Sequence, residues 1–271
     1  MNLFNSSPSS NFLPDDLAGP LQAASSRLGC LSGPITWYPE VASTNDTAMA
    51  LAEQGAPEGS IVIADSQTSG RGRLGRRWYS PANCGLYTSV VLKPTKDALS
   101  LLTLSAGVAL REGILVTTGL ALVLKWPNDL FIGKRKLGGV LAEACSKNTE
   151  SQYVILGFGI NIQNTVYPQE IASNATSLED ELGYQVDKGL LLTECLVAIS
   201  KQYELLKNGS SQVILENWRQ AATSTFGSTV EWTEGESQHR GVVDGIDDSG
   251  ALLVRSKAGS MRISSGQLRW L

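Results

Sequence analysis

Residues 70–78 read Gly-Arg-Gly-Arg-Leu-Gly-Arg-Arg-Trp, which sets Arg71, Arg73, Arg76 and Arg77 among Gly70, Gly72 and Gly75. Glycine lets a backbone approach a ligand and aim its N–H groups inward, and guanidinium groups grip carboxylate or phosphate oxygens bidentately. The string therefore suits a ligand that carries both kinds of anion. Two other readings use the same letters. A lone Arg-Gly pair is more often a solvated basic loop or an RNA-binding segment, and Gly70, Gly72 and Gly75 also satisfy G-x-G-x-x-G. The dinucleotide motif must open a helix within a βαβ unit, whereas Trp78-Tyr79-Ser80-Pro81 and another strand follow here. A kinase loop is excluded too, because no His-Arg-Asp or Asp-Phe-Gly string occurs.

Three further strings place polar chemistry at strand ends. Lys125-Trp126-Pro127-Asn128-Asp129 gathers a cation, an amide and a carboxylate where Pro127 constrains the turn. Asp129 suits a Mg²⁺ that bridges nucleotide phosphates, and it equally suits an Asn-Asp turn beside a core tryptophan. Lys136-Leu137-Gly138-Gly139-Val140-Leu141-Ala142-Glu143 puts a lysine just before paired glycines, which weaken a strand and suggest close approach by a ligand or another backbone. Gly157-Phe158-Gly159-Ile160-Asn161-Ile162 carries one polar residue, Asn161, in a glycine-rich β run.

Elements to hold these strings are legible around them. Residues 35–41 and 60–65 read as strands, and Ser43-Thr44-Asn45-Asp46 offers cap chemistry for a helix over 47–54 closed by Gly55. A strand spans 85–92, a long helix 98–118, and β-rich runs cover 120–125, 129–132, 136–144 and 153–162. Amphipathic helices at 189–207 and 212–223 precede a change of composition near residue 226. Beyond it, short alternating runs at 229–233, 240–246, 251–255 and 260–263 are separated by turn signals. This pattern predicts an α+β fold whose mixed sheet is largely antiparallel, followed by a small SH3-like β-barrel. The expected organisation is a flexible arm over 1–34, a main domain over 35–226 and the barrel over 227–271.

Bulk properties narrow the function. The 271 residues include 22 Lys+Arg and 26 Asp+Glu, a formal net charge of −4, with 42% hydrophobic residues. Such a chain is an ordinary globular protein with no global attraction for DNA or an anionic membrane, so any anion must be held by a local cluster. Cys30, Cys84, Cys145 and Cys195 lie far apart and His239 is the single histidine, which argues against a zinc site and for reduced thiols in the cytoplasm. The Asn/Ser/Pro-rich start has no signal-peptide pattern, and residues 99–116 carry too many polar groups for a membrane span.

Taken in order and spacing, GRGRLGRRW, KWPNDL, KLGGVLAE and GFGINI, preceded by Ser43-Thr44-Asn45, resemble the biotin protein ligases from about residue 35 onward. The resemblance implies a class II synthetase-like catalytic domain with an SH3-like domain after it. It implies that biotin and ATP with Mg²⁺ give biotinyl-5′-AMP, and that the acyl group passes to a lysine of a biotin carboxyl carrier protein of acetyl-CoA carboxylase or another biotin-dependent carboxylase. By the same resemblance, Ser43, Thr44, Asn45, Gln67, Arg71, Gly72, Arg73, Lys136, Gly138 and Gly139 hold biotin, with Arg73 and Lys136 catalytic. Arg76, Trp78, Asn128 and Asn161 are assigned to the nucleotide and Asp129 to the metal. Leu74 and Gly139 stand where the family varies. The rival readings are a lipoate or octanoate ligase of the same fold and a biotinyl-AMP-dependent repressor. The second is disfavoured because the 34 residues before the first strand are short for a helix-turn-helix domain. Homodimers occur in the family, so a second copy stays open as a partner.

Overall fold

The computed structural model describes residues 12–145, 153–234, 237–257, 259–266 and 268–271. In chain order the elements are α1 (Asp15–Ala23), β1 (Ile35–Val41), α2 (Thr44–Glu53), β2 (Ile61–Gln67), β3 (Gly85–Leu92), α3 (Lys96–Leu99), α4 (Leu102–Thr118), β4 (Val123–Lys125), β5 (Asp129–Ile132), β6 (Arg135–Cys145) and β7 (Tyr153–Asn161). They continue as α5 (Gln169–Ala172), α6 (Leu178–Leu182), α7 (Lys188–Lys207), α8 (Ser211–Ala221), β8 (Thr229–Glu234), β9 (Ser237–Ile246), β10 (Leu252–Ser256), β11 (Gly259–Ile263) and β12 (Leu268–Trp270).

Seven strands form one sheet in the order β1-β2-β3-β7-β6-β5-β4, with β1 and β2 parallel and the other neighbours antiparallel. Every residue of β3 is buried, as befits a central strand covered on both faces. Alternation along β7 sends Val154, Leu156, Phe158 and Ile160 into the main core beneath α4 and α7. It sends Ile155, Gly157, Gly159 and Asn161 to the opposite face, where α2 covers only one end. The uncovered remainder of that face is where a ligand can sit. A second sheet, β11-β10-β9-β8-β12, is wholly antiparallel.

Local chemistry moves several boundaries. Ser43 takes the cap of α2 and accepts from Asp46 N–H, so the helix begins at Thr44 and Asn45 lies in its first turn, earlier than the expected residue 47. The helix expected over 98–118 is two helices, because Thr95 caps α3 and the chain breaks after Ser100; α4 ends on Gly119, whose φ of 75° forms a left-handed cap. The short helices α5 and α6 and the strand β12 had no periodic signal long enough to read.

Residues 12–34 correct the expectation of a flexible arm; residues 1–11 lie outside the described residues. Helix α1 buries Leu17 and Leu21, and Leu28 and Leu31 follow them into the main core. With Gly19 and Pro20 inside nine residues, this helix has poor intrinsic propensity, and tertiary burial stabilises it. Its seat is Gly189 on α7, where an added Cβ would collide with the carbonyl of Asp16 and meet Pro20 Cγ at 2.9 Å. Among the described cysteines Cys30, Cys84 and Cys195 are free. Among the described residues no helix is long and apolar enough to cross a membrane.

Gly189→Ala is expected to displace α1 and lower stability by about 1–3 kcal/mol, measured as a fall in the urea midpoint. An unchanged midpoint would show that α1 contributes nothing to the folded state.

Candidate functional site

The uncovered face of the large sheet is a cleft of about 530 Å³. Among the described residues seven cationic side chains line it, Arg71, Arg73, Arg76, Arg77, Lys125, Lys134 and Lys136, against one lining carboxylate, Asp129. In a chain of net charge −4 this concentration of positive charge is local and demands an anion. Burial lowers the pKa of Arg73, with Asp129 opposing the shift. Burial lowers that of Lys125 as well, where Asp129 opposes and Lys134 adds to the shift. Both cations are thus held where water solvates them poorly, and a bound anion would relieve them.

The basic segment expected as a loop is a tight hairpin. Gly72 N–H donates to Arg76 O at 2.7 Å and Trp78 N–H to Gly70 O at 2.8 Å, while Arg71 pairs with Arg77 in an antiparallel bridge. Leu74 and Gly75 turn the chain with φ of 57° and 73°, and Arg76 N–H closes the turn on Arg73 O. Positive φ at both central residues is the type I′ geometry that matches strand twist. The hairpin presents Arg73 to the cleft and projects Leu74 into solvent.

Lys136 reaches the same cleft through a β-bulge. The register between β5 and β6 runs Leu130↔Gly138 and then Phe131↔Lys136, so Leu137 is the extra residue. Leu137 is buried, and the parity change lets Lys136 and Gly139 both line the cleft. Lys136 Nζ lies 2.5 Å from Asp129 Oδ1 and 5.4 Å from the centre of the Trp78 ring. The backbone on either side is pinned, with Lys136 N–H donating to Asn174 O and Thr176 N–H to Lys136 O.

A polar chain runs along the end of the cleft under α2. Gln67 Oε1 accepts from Thr44 N–H at 2.8 Å, and Gln67 Nε2 donates to Ser80 at 2.9 Å. Asn45, 4% exposed, has its oxygen 2.6 Å from the Ser89 hydroxyl and donates from Nδ2 to Glu143 Oε2 at 2.7 Å. Arg71 Nη2 lies 2.7 Å from the same Glu143 oxygen and 2.6 Å from Asp46 Oδ1. Gly157 makes room for this network, since a Cβ there would overlap the Asn45 amide. Gly159 does the same for Trp78, whose indole lies on its backbone. The Trp78 Nε1 is buried with no hydrogen-bond partner among the described residues.

Of the residues expected from sequence, Ser43, Thr44, Asn45, Gln67, Arg71, Gly72, Arg73, Arg76, Trp78, Asn128, Asp129, Lys136, Gly139 and Asn161 all line this cleft. Gly138 does not. Its missing Cβ would stand 2.7 Å from Gly159 O, so strand packing explains that glycine, and alternation admits only one of the pair to the cleft. Two amides have structural partners: Asn128 Nδ2 donates to Val140 O, and Asn161 Nδ2 to Thr176 O. Sequence reading missed Glu143, Ser89, Gly157 and Gly159, as well as Tyr167 and the β12 residues Leu268 and Trp270 that wall the cleft. The two β7 glycines carried a readable signal, two residues apart and hence on one face. The second sheet meets the cleft at Trp126, whose Nε1 donates to Gly250 O at 2.8 Å.

Fold and site together define a protein with a polar, cation-lined cleft for an anionic ligand on one sheet face. Comparison with known proteins supplies the family. Residues 37–161 match the model of the biotin/lipoate A/B protein ligase family. The bifunctional ligase/repressor BirA of Bacillus spizizenii is 34% identical over 233 residues, covering 84% of this chain and 71% of that protein. The biotin–[acetyl-CoA-carboxylase] ligase of Paracoccus denitrificans is 32% identical, covering 83% and 96%. The biotin protein ligase from Aquifex aeolicus in complex with biotin and ATP superposes with a TM-score of 0.77 at 32% identity, covering 88% of this chain and 98% of that one. The chain belongs to the biotin/lipoate A/B protein ligase family and, within it, groups with the biotin protein ligases.

Gly159→Ala is expected to unseat the Trp78 indole. With six tryptophans in the chain, the change should appear as a partial red shift of emission and increased acrylamide quenching; a spectrum identical to the parent's would contradict the packing described.

Proposed function

We propose that the protein activates biotin with ATP to biotinyl-5′-AMP and transfers the biotinyl group to a lysine of a carrier protein. The observation that carries this reading is the cleft itself: a polar pocket under α2 at one end, Trp78 and Lys136 at the centre, and cations throughout.

The chemistry follows from charge. A carboxylate oxygen must attack the α-phosphorus, forming a C(O)–O–P anhydride while pyrophosphate leaves with the electron pair of the broken P–O bond. Both partners are anions, so cations must offset their repulsion and stabilise the charge that develops at phosphorus. Lys136 and Arg73, which both line the cleft, take that task in this reading, with Lys136 exchanging Asp129 for substrate oxygens. Thr44 and Gln67 read the ureido ring. Arg76 offers a cation to the phosphates, and Trp78 offers a π-face to the adenine end. In the second step the carrier lysine amine attacks the carbonyl, AMP leaves, and the amine loses a proton. Water would destroy the anhydride meanwhile, and the hairpin over residues 70–78 shields it.

Mg²⁺ fits here as an ion carried by the nucleotide. Such a site needs one or two protein carboxylates besides phosphate oxygens, and Asp129 offers Oδ2 while Oδ1 meets Lys136. The ion would neutralise charge on the phosphates. The carrier is a biotin carboxyl carrier protein of acetyl-CoA carboxylase or a similar carboxylase. A lipoate or octanoate substrate lacks the ureido group that the Thr44 and Gln67 donors and acceptors suit.

Incubation with biotin, ATP, Mg²⁺ and a biotin carboxyl carrier domain is expected to yield labelled carrier, with lipoate at least about 100-fold poorer. No biotinyl-AMP and no label would refute the proposal. Lys136→Ala is expected to slow adenylate formation by roughly 100-fold or more, measured as biotin-dependent pyrophosphate release. A first-step rate equal to the parent's would remove Lys136 from the reaction.

A further inference from the structure

Glu143 is half-buried on β6, and its Oε2 meets two donors from different elements at 2.7 Å each: Asn45 Nδ2 on α2 and Arg71 Nη2 on the hairpin. Nothing in the pairing of β6 with β7 needs this side chain. What it does is fix which way the Asn45 amide faces. A carboxylate only accepts, so Asn45 must turn its NH₂ to Glu143 and its oxygen to Ser89. The Ser89 hydroxyl lies 2.6 Å from that oxygen and 2.8 Å from Thr44 Oγ1, yet it has a single proton. Because the amide oxygen cannot donate, the Ser89 proton is committed to it. Thr44 Oγ1 also lies 3.1 Å from Gln67 Oε1, which only accepts, so the single Thr44 proton goes to Ser89 or to Gln67 and its oxygen stays an acceptor toward the cleft. Gln67 Oε1 keeps the Thr44 N–H. One carboxylate, 27% exposed, thus orients the Asn45 amide under the pocket and at the same time tethers the arginine hairpin.

We infer that Glu143 is a positioning residue, which fixes the Asn45–Ser89 pair beside Thr44 and holds the hairpin in register with that pocket through Arg71. The inference rests on the reading of the cleft as a biotin site. Asp46 also meets Arg71, but it is more exposed and has no bond to Asn45 among the described residues, so it shares the tether and not the hold on Asn45.

The test compares Glu143→Gln with Asp46→Asn and the parent. Glutamine is isosteric but neutral and can donate, so it weakens the bond to Arg71 and lets the Asn45 amide and the Ser89 hydroxyl reverse beside Thr44. Biotin KM is expected to rise at least about tenfold in Glu143→Gln with kcat and the KM for ATP within about threefold, as expected for charge-assisted bonds lost from one substrate's pocket. Without ligands, trypsin is expected to cut after the hairpin arginines several times faster in Glu143→Gln, with the fragments identified by mass. Asp46→Asn is expected to raise cutting less and leave biotin KM unchanged. Biotin KM equal to the parent's, cutting equal to the parent's, or an equal KM rise in Asp46→Asn would each overturn the assignment. So would a melting midpoint lowered by more than about 10 °C, which would mark Glu143 as a folding residue. An inactive parent would refute the biotin reading separately, and the ligand-free cutting would still decide whether Glu143 holds the hairpin.

Discussion

Seven cations gathered around one lining carboxylate repel each other, and the rest of the structure is arranged to hold them there. Surface lysines and arginines would swing apart into water. Here each approach is fixed by backbone: a type I′ turn aims Arg73, a bulge at Leu137 turns Lys136, and the end of β4 delivers Lys125 over the rings of Phe131 and Trp270. The strain of like charge is therefore stored in rigid elements, where it favours whatever anion enters.

The opposite wall needs the reverse property, absence of bulk. On β7 two of the residues facing the cleft are glycines where neighbouring strands would carry side chains, and each empty position admits a side chain from another element: Asn45 at Gly157 and Trp78 at Gly159. Strand glycine is costly to order. Its use here trades local strand stability for two polar or aromatic side chains seated within ångströms of the sheet plane.

Much of this was legible in sequence, and the parts that were not share a cause. Residues 85–92 read as a strand because they follow a Pro-Ala-Asn-Cys-Gly turn and are rich in the strand formers Tyr, Thr and Val. The hairpin arginines, Lys136 and Asn161 stood out because their types are unusual in such surroundings. Gly138 and Gly139 looked equivalent, since only strand parity and the bulge decide which faces a ligand. Glu143 looked like the polar end of an apolar strand, because its partners come from residues 98 and 72 positions away. Helix α1 was hidden by its Gly19 and Pro20, and β12 by its three-residue length. Long-range pairing, bulges and tertiary rescue of weak elements leave no local periodicity to find.

The bond from Trp126 to Gly250 and the stacking of Trp270 near Lys125 make the second sheet part of the cleft wall. Thermodynamic linkage follows. A ligand held between the two sheets binds only while both are folded, so its binding free energy, about 2.7 kcal/mol at a hundred times Kd, is credited to their junction. Loading the cleft would therefore fuse the two lobes into one cooperative unfolding unit, and emptying it would let the smaller lobe loosen first.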